Sequence, residues 1–489
     1  MKVVIANSVG VDNDGNYIIH SPSRWTVGVK DNFNWFTYYP WELAYLSSIL
    51  KTRTDFDVKM VDGCLQKLDS SEYYKMIAAE KPDWLVMESS SRTIVDDMNL
   101  ALKLKNNIGT KLIFTGQHPT AFPESVLSLG ADYVCLGEYE MTVLDLLRHE
   151  NTDDIVGIYP NECRPHLDVN ELPYPEDDDV SRIEYSIPGE PNCDYREIQM
   201  YASRGCRMQC VFCVAAHLYY IKPNWRPRKI DSIIQEIQIM KKKYPEMEGV
   251  FFDEETHNGE KKFVTELCKS IVDNKLDKLK YNAMCGYWTM DREMLESMAE
   301  AGYYKLRFGI ETSSLKVAKE INKPIDVDKI TKILEIAKSL KIKTYGTFTI
   351  GAPGSNVIED KKTIDLIEKF TKENLLDGLQ VSINTPQPGT PFYIWAESMG
   401  YINTYDWKKY DGASCAVVSY PEYNSIEIEN SFKKACNIRD HFILHQKLSF
   451  RNLLNWLKRN IQDHGFITAF KKIRFKIKSE LSFRRDNNH

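Results

Sequence analysis

Three cysteines at close, regular spacing are the residues of this 489-residue chain with the clearest capacity for chemistry. Cys206, Cys210 and Cys213 form a CxxxCxxC pattern, and they follow a short apolar run at 198–202 that is typical of a buried strand. Thiolates are soft ligands that suit iron–sulfur clusters and zinc. The pattern therefore predicts a metal-binding loop at the end of a strand.

The number of thiolates bears on which metal this loop would bind. A structural zinc site needs four ligands, and a closed four-cysteine cluster needs a fourth thiolate. The chain contains no second CxxC pair, although His217 could act as a fourth zinc ligand. Three thiolates on one loop can instead hold a [4Fe–4S] cluster with one iron left open. Chance clustering of buried cysteines is a third interpretation, which the regular spacing disfavours.

The cysteines lie in a segment that alternates strand and helix patterns. Its predicted strands are 198–202, 249–252, 280–284, 305–308, 343–350 and 378–383, with predicted helices such as 230–243 and 328–340 between them. Six successive βα units predict a partial or full parallel barrel, in which chemistry takes place at the carboxyl ends of the strands. We assign this barrel to residues 196–390.

This arrangement resembles the radical S-adenosylmethionine (SAM) enzymes. The triplet, with Phe212 before its third cysteine, is similar to the signature of that superfamily. Four later segments, which begin at Phe251, Phe308, Thr347 and Pro386, resemble its other motifs in the expected order. The resemblance implies SAM contacts from Phe212, from Asp253, Glu254 or Glu255 to the amino group, from Glu311 and Ser313 to the ribose and methionine portion, and from Ile350, Gly351 and Pro353 around the adenine.

The resemblance also implies a reaction. The open iron of a [4Fe–4S] cluster would chelate the amino and carboxylate groups of SAM, and one electron would cleave the sulfonium bond to give methionine and a 5′-deoxyadenosyl radical. The protein would position this reagent and exclude water, because the difficult chemistry belongs to the cofactor. We therefore expect a reducing partner such as flavodoxin or ferredoxin, and a small-molecule substrate.

Residues 1–150 show a second alternation of strands and helices, with predicted strands at 2–8, 57–62, 83–88, 111–115 and 132–136. Short apolar strands separated by helices predict a doubly wound, Rossmann-like parallel sheet covered on both faces. Ligands of such sheets bind beyond the carboxyl ends of the strands. A long segment from Val9 to Pro40 follows the first strand without a clear period, and an insertion at that position is more often functional than decorative.

This first domain resembles the cobalamin-binding domain that precedes the barrel in one large subgroup of radical SAM enzymes. The matching segments begin at Tyr39, Val61, Pro82, Thr115 and Leu136. None of the ten histidines has the DxHxxG context of a lower axial ligand, and His118 is better explained as structural. We expect cobalamin to bind without a protein histidine on cobalt, in a pocket formed by Ser89, Ser90, Ser91, Gly116, Gln117, Gly137 and Glu138.

The substrate pocket is less well specified by the sequence. Tyr281, Tyr287 and Trp288, on and just after the third barrel strand, could line it or could simply pack in the core. Cys285 and Cys415 are possible hydrogen donors, but inert buried thiols are the better interpretation.

Charge is distributed unevenly along the chain, whose formal net charge is −6. Residues 151–195 contain twelve acidic and two basic residues with six prolines, which predicts an extended linker with a solvated run at 176–179. Residues 391–489 predict a helical C-terminal region with a basic tail, whose last 43 residues carry eleven basic and three acidic side chains. An acidic body with a basic tail argues against a nucleic-acid binder. A short apolar face at Phe466, Phe470, Ile473 and Ile477 leaves open peripheral membrane contact or docking on the body.

Taken together, these patterns predict an α/β enzyme with two cofactor domains. The absence of a signal-peptide pattern and the odd count of eleven cysteines favour a cytoplasmic protein with reduced thiols. The expected activity is cobalamin-dependent methyl transfer to an unactivated carbon of a small molecule. The alternatives are a cyclisation, rearrangement or oxidation without methyl transfer, and a zinc-stabilised α/β binding protein.

Overall fold

The computed structural model describes residues 1–21, 25–29, 36–149, 154–186 and 193–447. Its first part contains strands β1 (Lys2–Asn7), β2 (Gly10–Val11), β3 (Tyr17–Ser21), β4 (Trp25–Val29), β5 (Asp57–Asp62), β6 (Trp84–Glu88), β7 (Lys111–Thr115) and β8 (Tyr133–Val134). The helices of this part are α1 (Trp41–Arg53), α2 (Ser70–Glu80), α3 (Ile94–Ile108), α4 (Gln117–Ala121), α5 (Pro123–Ser128) and α6 (Glu140–Arg148).

Five of these strands form a parallel sheet in the order β5-β1-β6-β7-β8. The strand register aligns Asn7 with Asp62, and Glu88 with Thr115, so the carboxyl ends of neighbouring strands meet at one edge. Side chains on both faces of the sheet are buried, as near-continuous apolar strands require. The predicted doubly wound sheet is confirmed. The carboxyl ends of its strands form one edge of the sheet, and because this sheet belongs to the N-terminal domain we call that edge the N-terminal edge site.

The segment that follows β1 forms a small antiparallel sheet in the order β2-β3-β4. It lies against the start of α3, where the Val11 amide donates to Asp96 Oδ2 at 3.3 Å. Arg92, just before α3, donates from Nη1 to Thr26 Oγ1 at 3.5 Å. The insertion therefore covers part of the N-terminal edge site. Trp35, a tryptophan of the same Val9–Pro40 segment, lies outside the described residues.

The acidic segment between the two sheets is packed against the protein, and the solvated run predicted at 176–179 is wrong for most of its members. Glu176 is buried and bonds to Ser47 Oγ at 2.5 Å and Lys51 Nζ at 2.7 Å. Asp179 bonds to Lys51 and to Lys59, each at 2.7 Å. Only Asp178 has the exposed side chain of a solvated charge, at 86%. The basic partners lie more than 100 residues away, so the local sequence gave no indication of them.

The second sheet is built from strands β9 (Glu197–Met200), β12 (Gly249–Phe252), β13 (Lys280–Cys285), β14 (Tyr303–Glu311), β15 (Lys343–Ile350) and β16 (Gly378–Ile383). The intervening pair β10 (Ser203–Arg204) and β11 (Arg226–Pro227) forms a separate antiparallel ladder. The helices are α7 (Ile230–Lys243), α8 (Lys261–Asp273), α9 (Arg292–Glu300), α10 (Leu315–Glu320), α11 (Val327–Ser339) and α12 (Val357–Lys372).

These six main strands are parallel and lie in chain order, β9-β12-β13-β14-β15-β16. Within the described residues no ladder joins β16 to β9, so the predicted partial barrel of six units is confirmed. All six strands therefore point their carboxyl ends to one mouth, and the cysteine triplet follows the first of them.

The C-terminal region is irregular and then helical, as expected, with α13 (Pro391–Ser398), a 3-10 turn at Trp407–Lys409 and α14 (Ser425–Lys447). The chain divides into two units, Met1–Phe432 and Lys433–His489, and the described part of the second unit is the end of α14. The apolar face predicted at Phe466–Ile477 lies outside the described residues. None of the described helices combines the length and apolar composition needed to cross a bilayer.

One buried charge cluster holds the acidic segment to the barrel. Arg182 donates from Nη1 to Glu236 Oε1 at 2.7 Å, and Arg228 donates from Nη1 to Glu236 Oε2 at 2.6 Å. The Glu236 side chain is completely buried, and the two arginine side chains are at most 7% exposed. Because buried charges require partners, Glu236 neutralises two guanidinium groups from different parts of the chain.

We predict that Glu236→Gln lowers the free energy of unfolding by about 3 to 5 kcal/mol, because it leaves two buried arginines without their counter-charge. Urea denaturation followed by circular dichroism measures this change. The matched control is Asp273→Asn, which removes an exposed partner of Lys269 and should leave the unfolding curve unchanged. Equal curves for Glu236→Gln and the wild type would show that the cluster does not stabilise the fold.

Candidate functional site

The cysteine loop, defined here as residues 205–220, begins at a left-handed glycine. Gly205 has φ +94°, and a Cβ at that position would approach Asn224 Oδ1 to 2.1 Å. Cys206 and Cys213 are partly exposed, whereas Cys210 is buried. After Cys213 the chain enters a single π-helical turn, Ala215–Tyr219. The loop therefore presents its thiols at the barrel mouth between two fixed backbone elements.

The geometry of the loop does not suit zinc. His217 Nε2 bonds to the Cys210 carbonyl oxygen at 3.0 Å, so its ring serves the backbone of the loop. Among the described residues, no three His, Cys, Asp or Glu side chains converge on a point where a metal ion could bind. In a [4Fe–4S] cluster each thiolate binds a different iron, so three thiolates from one loop are the ligands of a cluster with one open iron. Burial raises the pKa of Cys210 to about 11 and of Cys213 to about 12, so a bound metal would replace their protons.

Phe212, between the second and third cysteines, is partly buried. With Val211 it packs against Val317 and Ile321, on and just after α10, and against Ala352. The loop is also fixed to the end of α10 by the Val211 amide, which donates to the Ile321 carbonyl at 3.1 Å. In this structure Phe212 therefore anchors the cysteine loop to the barrel.

The acidic segment after β12 supports the cysteine loop from the barrel side. Glu254 is buried, and its Oε1 lies 2.7 Å from His257 Nδ1. Glu255 accepts from the Gly205 amide at 3.3 Å and from Tyr220 Oη at 3.0 Å. Asp253 is buried beside them at the end of β12. The three acids expected near the SAM amino group thus follow one another directly after β12, beside the cysteine loop.

The end of β14 brings a charged pair next to the cysteines. Glu311 has φ +65°, at an irregularity in the β14–β15 ladder, and its Oε1 lies 2.8 Å from Lys323 Nζ. Burial opposes the charge on Lys323, but Glu311, Cys210 and Cys206 act in the other direction and raise its pKa. The sequence analysis missed Lys323, because its position after α10 carries no pattern that marks a site. The Ser313 amide, two residues on from Glu311, donates to Thr363 Oγ1 at 3.2 Å.

The end of β15 forms a tight turn at the same mouth. Gly351 has φ +74°, and its amide donates to Asp360 Oδ2 at 2.8 Å while its carbonyl accepts from Tyr420 Oη at 2.9 Å. Ile350 and Pro353 are buried on either side of it. These three residues therefore lie next to Glu311 along the strand ends, where the sequence placed them.

The proposed cobalamin pocket is organised around a buried carboxyl. Ser89, Ser90 and Ser91 follow β6 and are completely enclosed. Ser89 Oγ donates to Asp97 Oδ2 at 2.7 Å, and Ser8 Oγ donates to Asp97 Oδ1 at 2.6 Å. Burial raises the pKa of Asp97 to about 7, against the effect of these hydrogen bonds. The turn is thus fixed by a group that holds a proton below neutral pH.

The turn after β7 has little free space. Gly116 has φ +97°, and a Cβ there would lie 2.7 Å from Glu88 Cγ. Gln117 accepts from the Ser91 amide at 3.1 Å and donates from Nε2 to Gln387 Oε1 at 3.1 Å. His118 Nδ1 lies 3.0 Å from Ser91 Oγ, and burial lowers the pKa of this histidine to about 4. His118 therefore has a structural hydrogen bond, in line with the sequence interpretation.

The Gln117–Gln387 hydrogen bond joins two strand ends from different sheets, since Gln387 lies in the segment after β16. The carboxyl ends of the two parallel sheets consequently face each other. The same junction is bridged by Tyr219 Oη, which donates to Glu88 Oε1 at 2.8 Å. Glu88 is the last residue of β6, and Tyr219 ends the π-helical turn of the cysteine loop.

The segment after β8 belongs to this junction as well. Gly137 has φ +66°, and its amide donates to Thr120 Oγ1 at 3.3 Å. Glu138 accepts from Arg226 at 2.7 and 2.9 Å and from Arg204 Nη1 at 3.3 Å. The carboxylate of Glu138, which was predicted to border cobalamin, thus bonds to two arginines of the barrel domain.

The N-terminal edge site nevertheless contains polar atoms that fit a ligand rich in N–H donors. Among the described residues, Glu88 Oε2 and Thr115 Oγ1 are buried and have no hydrogen-bond partner. They end the neighbouring strands β6 and β7, beside the Ser89–Ser91 turn. Buried acceptors without donors are costly unless a ligand supplies the hydrogen bonds. The amide side chains of a corrin ring would supply such donors.

Tyr281 and Tyr287, two of the three aromatic residues considered for the substrate pocket, make packing and hydrogen-bond contacts within the protein. Tyr281 is buried, stacks on Tyr303 with ring centroids 5.3 Å apart, and donates from Oη to the Leu276 carbonyl at 3.1 Å. Tyr287 Oη donates to the Pro324 carbonyl at 3.2 Å. Cys285 is buried, and burial raises its pKa, as expected of an inert thiol.

Two family models match the two sheets. The Radical SAM superfamily model matches residues 200–367, and the B12 binding domain model matches residues 36–147. The first match contains the cysteine loop and the ends of β12, β14 and β15, and the second contains the N-terminal edge site. The chain therefore combines a B12-binding domain with a radical SAM domain. The alternative of a zinc-stabilised binding protein is therefore wrong.

Similar proteins cover most of this radical SAM chain. An uncharacterised methyltransferase of Pyrococcus horikoshii is 28% identical over 444 residues, which span 88% of this chain and 91% of the relative. The radical SAM methyltransferase TsrM of Kitasatospora setae, solved with tryptophan and a SAM analogue, aligns with TM-score 0.62 at 14% identity over 82% of this chain and 77% of its own. The radical SAM enzyme OxsB, solved with aqua-cobalamin and SAM, aligns with TM-score 0.66 at 14% identity over 97% and 71%.

We predict that Asp97→Asn reduces the pH dependence of stability. The folded protein keeps the Asp97 proton up to about pH 7, whereas the unfolded chain releases it near the ordinary carboxyl pKa of 3.8. The contribution of Asp97 to stability should therefore fall by up to about 4 kcal/mol as the pH rises from 4 to 7. Chemical denaturation across this range measures the total loss of stability, which should be smaller in Asp97→Asn, because only the other buried carboxyl groups with raised pKa, such as Glu42, still contribute to it. The control Asp365→Asn, at an exposed pair with Lys361, should behave as the wild type. A wild-type slope in Asp97→Asn would contradict the assignment.

Proposed function

We propose that this chain is a cobalamin-dependent radical SAM methyltransferase that acts on an unactivated carbon of a small molecule. The observation that carries the proposal is the junction itself, where the carboxyl ends of a B12-binding sheet and of a radical SAM barrel face each other across the Glu88–Tyr219 and Gln117–Gln387 hydrogen bonds. A substrate held there would reach both cofactor sites. The alignment with the Pyrococcus horikoshii protein covers 91% of that relative, and its name as a methyltransferase supports methyl transfer.

The cofactors supply the chemistry: when bound, the cluster offers an open iron and an electron to SAM, and cobalamin offers a cobalt centre able to carry a methyl group. The protein binds, orients and shields these groups. Cys206, Cys210 and Cys213 would ligate three irons. We assign the SAM amino group to the acidic segment after β12, that is, to Asp253, Glu254 or Glu255.

The other SAM contacts follow from positions along the barrel mouth. Glu311 and Ser313 would face the ribose and methionine portion, and Ile350, Gly351 and Pro353 the adenine. Lys323 is a further SAM residue, because its ammonium lies beside Glu311 and within the electrostatic influence of Cys206 and Cys210. A cation beside the cysteine loop would complement the carboxylate of bound SAM.

On the cobalamin side, Ser89, Ser90, Ser91, Gly116, Gln117 and Gly137 would form the pocket wall. His118 stays neutral and bonded to Ser91, so we propose that no protein histidine binds cobalt. Glu138 is better described as a residue of the domain junction, since its carboxylate bonds to Arg204 and Arg226. We further propose that flavodoxin or ferredoxin reduces the cluster.

The test of this function uses anaerobically reconstituted protein, SAM with an isotopically labelled methyl group, a reductant and a set of small molecules. Methyl transfer predicts label on a carbon of the product. Formation of 5′-deoxyadenosine with an altered but unlabelled product would instead identify a cyclisation, rearrangement or oxidation. Absence of any reductive SAM cleavage would contradict the proposal.

We predict that Cys206→Ala, Cys210→Ala and Cys213→Ala each abolish reductant-dependent formation of 5′-deoxyadenosine, because each removes a thiolate from the cluster. Liquid chromatography with mass spectrometry measures this product. Cys268→Ala is the matched control, since Cys268 is a buried cysteine of α8 away from the loop, and it should retain activity. Activity in a triplet variant would refute the ligand assignment.

We predict that Lys323→Met weakens SAM binding by roughly 10- to 100-fold, because it removes a positive charge beside the bound carboxylate. Equilibrium dialysis of the reconstituted protein measures the Kd. The control is Lys319→Met, which changes an exposed lysine of α10 four residues before Lys323 and should bind SAM as the wild type does. Unchanged affinity in Lys323→Met would remove this residue from the site.

A further inference from the structure

Two side chains, one before and one after the three cysteines, bond the cysteine loop to the N-terminal domain. Arg204 lies two residues before Cys206, and Tyr219 lies six residues after Cys213. Arg204 Nη1 donates to Glu140 Oε1 at 2.6 Å and to Glu138 Oε1 at 3.3 Å. Tyr219 Oη donates to Glu88 Oε1 at 2.8 Å. All three accepting carboxylates come from the B12-binding domain.

These carboxylates stand at the ends of that domain's strands. Glu88 is the last residue of β6, and Glu138 and Glu140 follow β8 and begin α6. Each is at most 3% exposed, and Arg204 is 2% exposed. A second arginine strengthens the contact, because Arg226 on β11 pairs with Glu138 through both of its terminal nitrogens and β11 pairs with the strand that contains Arg204.

Burial makes this connection rigid. A buried guanidinium that loses its carboxylate costs several kcal/mol, roughly 3 to 5 when one partner of a buried pair is removed. The loop therefore cannot shift relative to the N-terminal sheet without breaking these contacts. Glu88 directly precedes the Ser89–Ser91 turn and Glu138 directly follows Gly137, so the same short segments border the proposed cobalamin pocket.

We propose that Glu88, Glu138 and Glu140 are positioning residues for the iron–sulfur cluster. They fix Arg204 and Tyr219, and through these two side chains they set the position of the three cysteines against the B12-binding domain. The B12-binding domain thus contributes to SAM activation before any methyl group moves. This inference rests on the proposed role of Cys206, Cys210 and Cys213 as cluster ligands.

The experiment compares Glu140→Gln and Tyr219→Phe with the wild type, as full-length, anaerobically reconstituted protein. The readouts are iron content, the electron paramagnetic resonance spectrum of the reduced cluster before and after addition of SAM, and the Kd for SAM. We expect near wild-type iron content, a SAM-induced spectral change that is weakened or heterogeneous, and SAM affinity lowered roughly 10- to 100-fold, as for other residues that orient metal ligands.

The control is Glu236→Gln, which breaks an equally buried carboxylate–arginine pair that does not touch the cysteine loop. It should lose stability and keep the wild-type spectrum and SAM affinity. Tyr219→Phe removes one hydroxyl group and leaves no unpaired charge. It therefore tests the positioning role even if Glu140→Gln does not fold. Wild-type spectra and affinity in Tyr219→Phe would overturn the positioning role. A failure of the proposed function would give a different result, because the wild-type protein itself would then show no electron paramagnetic resonance signal from a cluster.

Discussion

The buried ion pair of Arg204 with Glu138 and Glu140 is the interaction on which the arrangement of this molecule depends. Its members come from two sheets that are separate in sequence, and each is almost completely removed from solvent. Buried charges persist only with well-placed partners, so the pair fixes how the first barrel loop meets the strand ends of the N-terminal domain. The hydrogen bonds from Tyr219 to Glu88 and from Gln117 to Gln387 then align the remainder of the junction.

The carboxyl groups at this junction are buried. Burial raises the pKa of Glu42 to about 7, and burial together with neighbouring acids raises the pKa of Glu88 well above its usual range. Carboxyl groups with such pKa values lie in an environment that disfavours charge. An enclosed site of this kind suits radical chemistry, because it limits the access of water to a reactive intermediate. The burial of the junction and the raised pKa values of its carboxyl groups therefore both support radical chemistry at this place.

Much of the fold could be predicted from the sequence because its signals are local. The strands Asp57–Asp62, Lys111–Thr115, Gly249–Phe252, Lys343–Ile350 and Gly378–Ile383 begin and end where the apolar runs indicated. The cysteine loop could be found for the same reason, since its ligands lie within eight residues. The contacts between distant segments could not. Glu176 was expected in solvent but bonds to Lys51, and the bonds between Glu138 and Arg226 were not predicted, because no local pattern reports a partner 88 or more residues away. The individual cofactor contacts stay predictions.

We propose that one chain brings an iron–sulfur cluster and cobalamin to a common junction. The most direct test is the metal content of anaerobically purified protein after reconstitution with iron, sulfide and excess cobalamin. We expect about four iron atoms and one cobalt per chain, with both retained through gel filtration. A colourless protein that retains zinc and no iron, or a protein that binds iron but never cobalt, would contradict it.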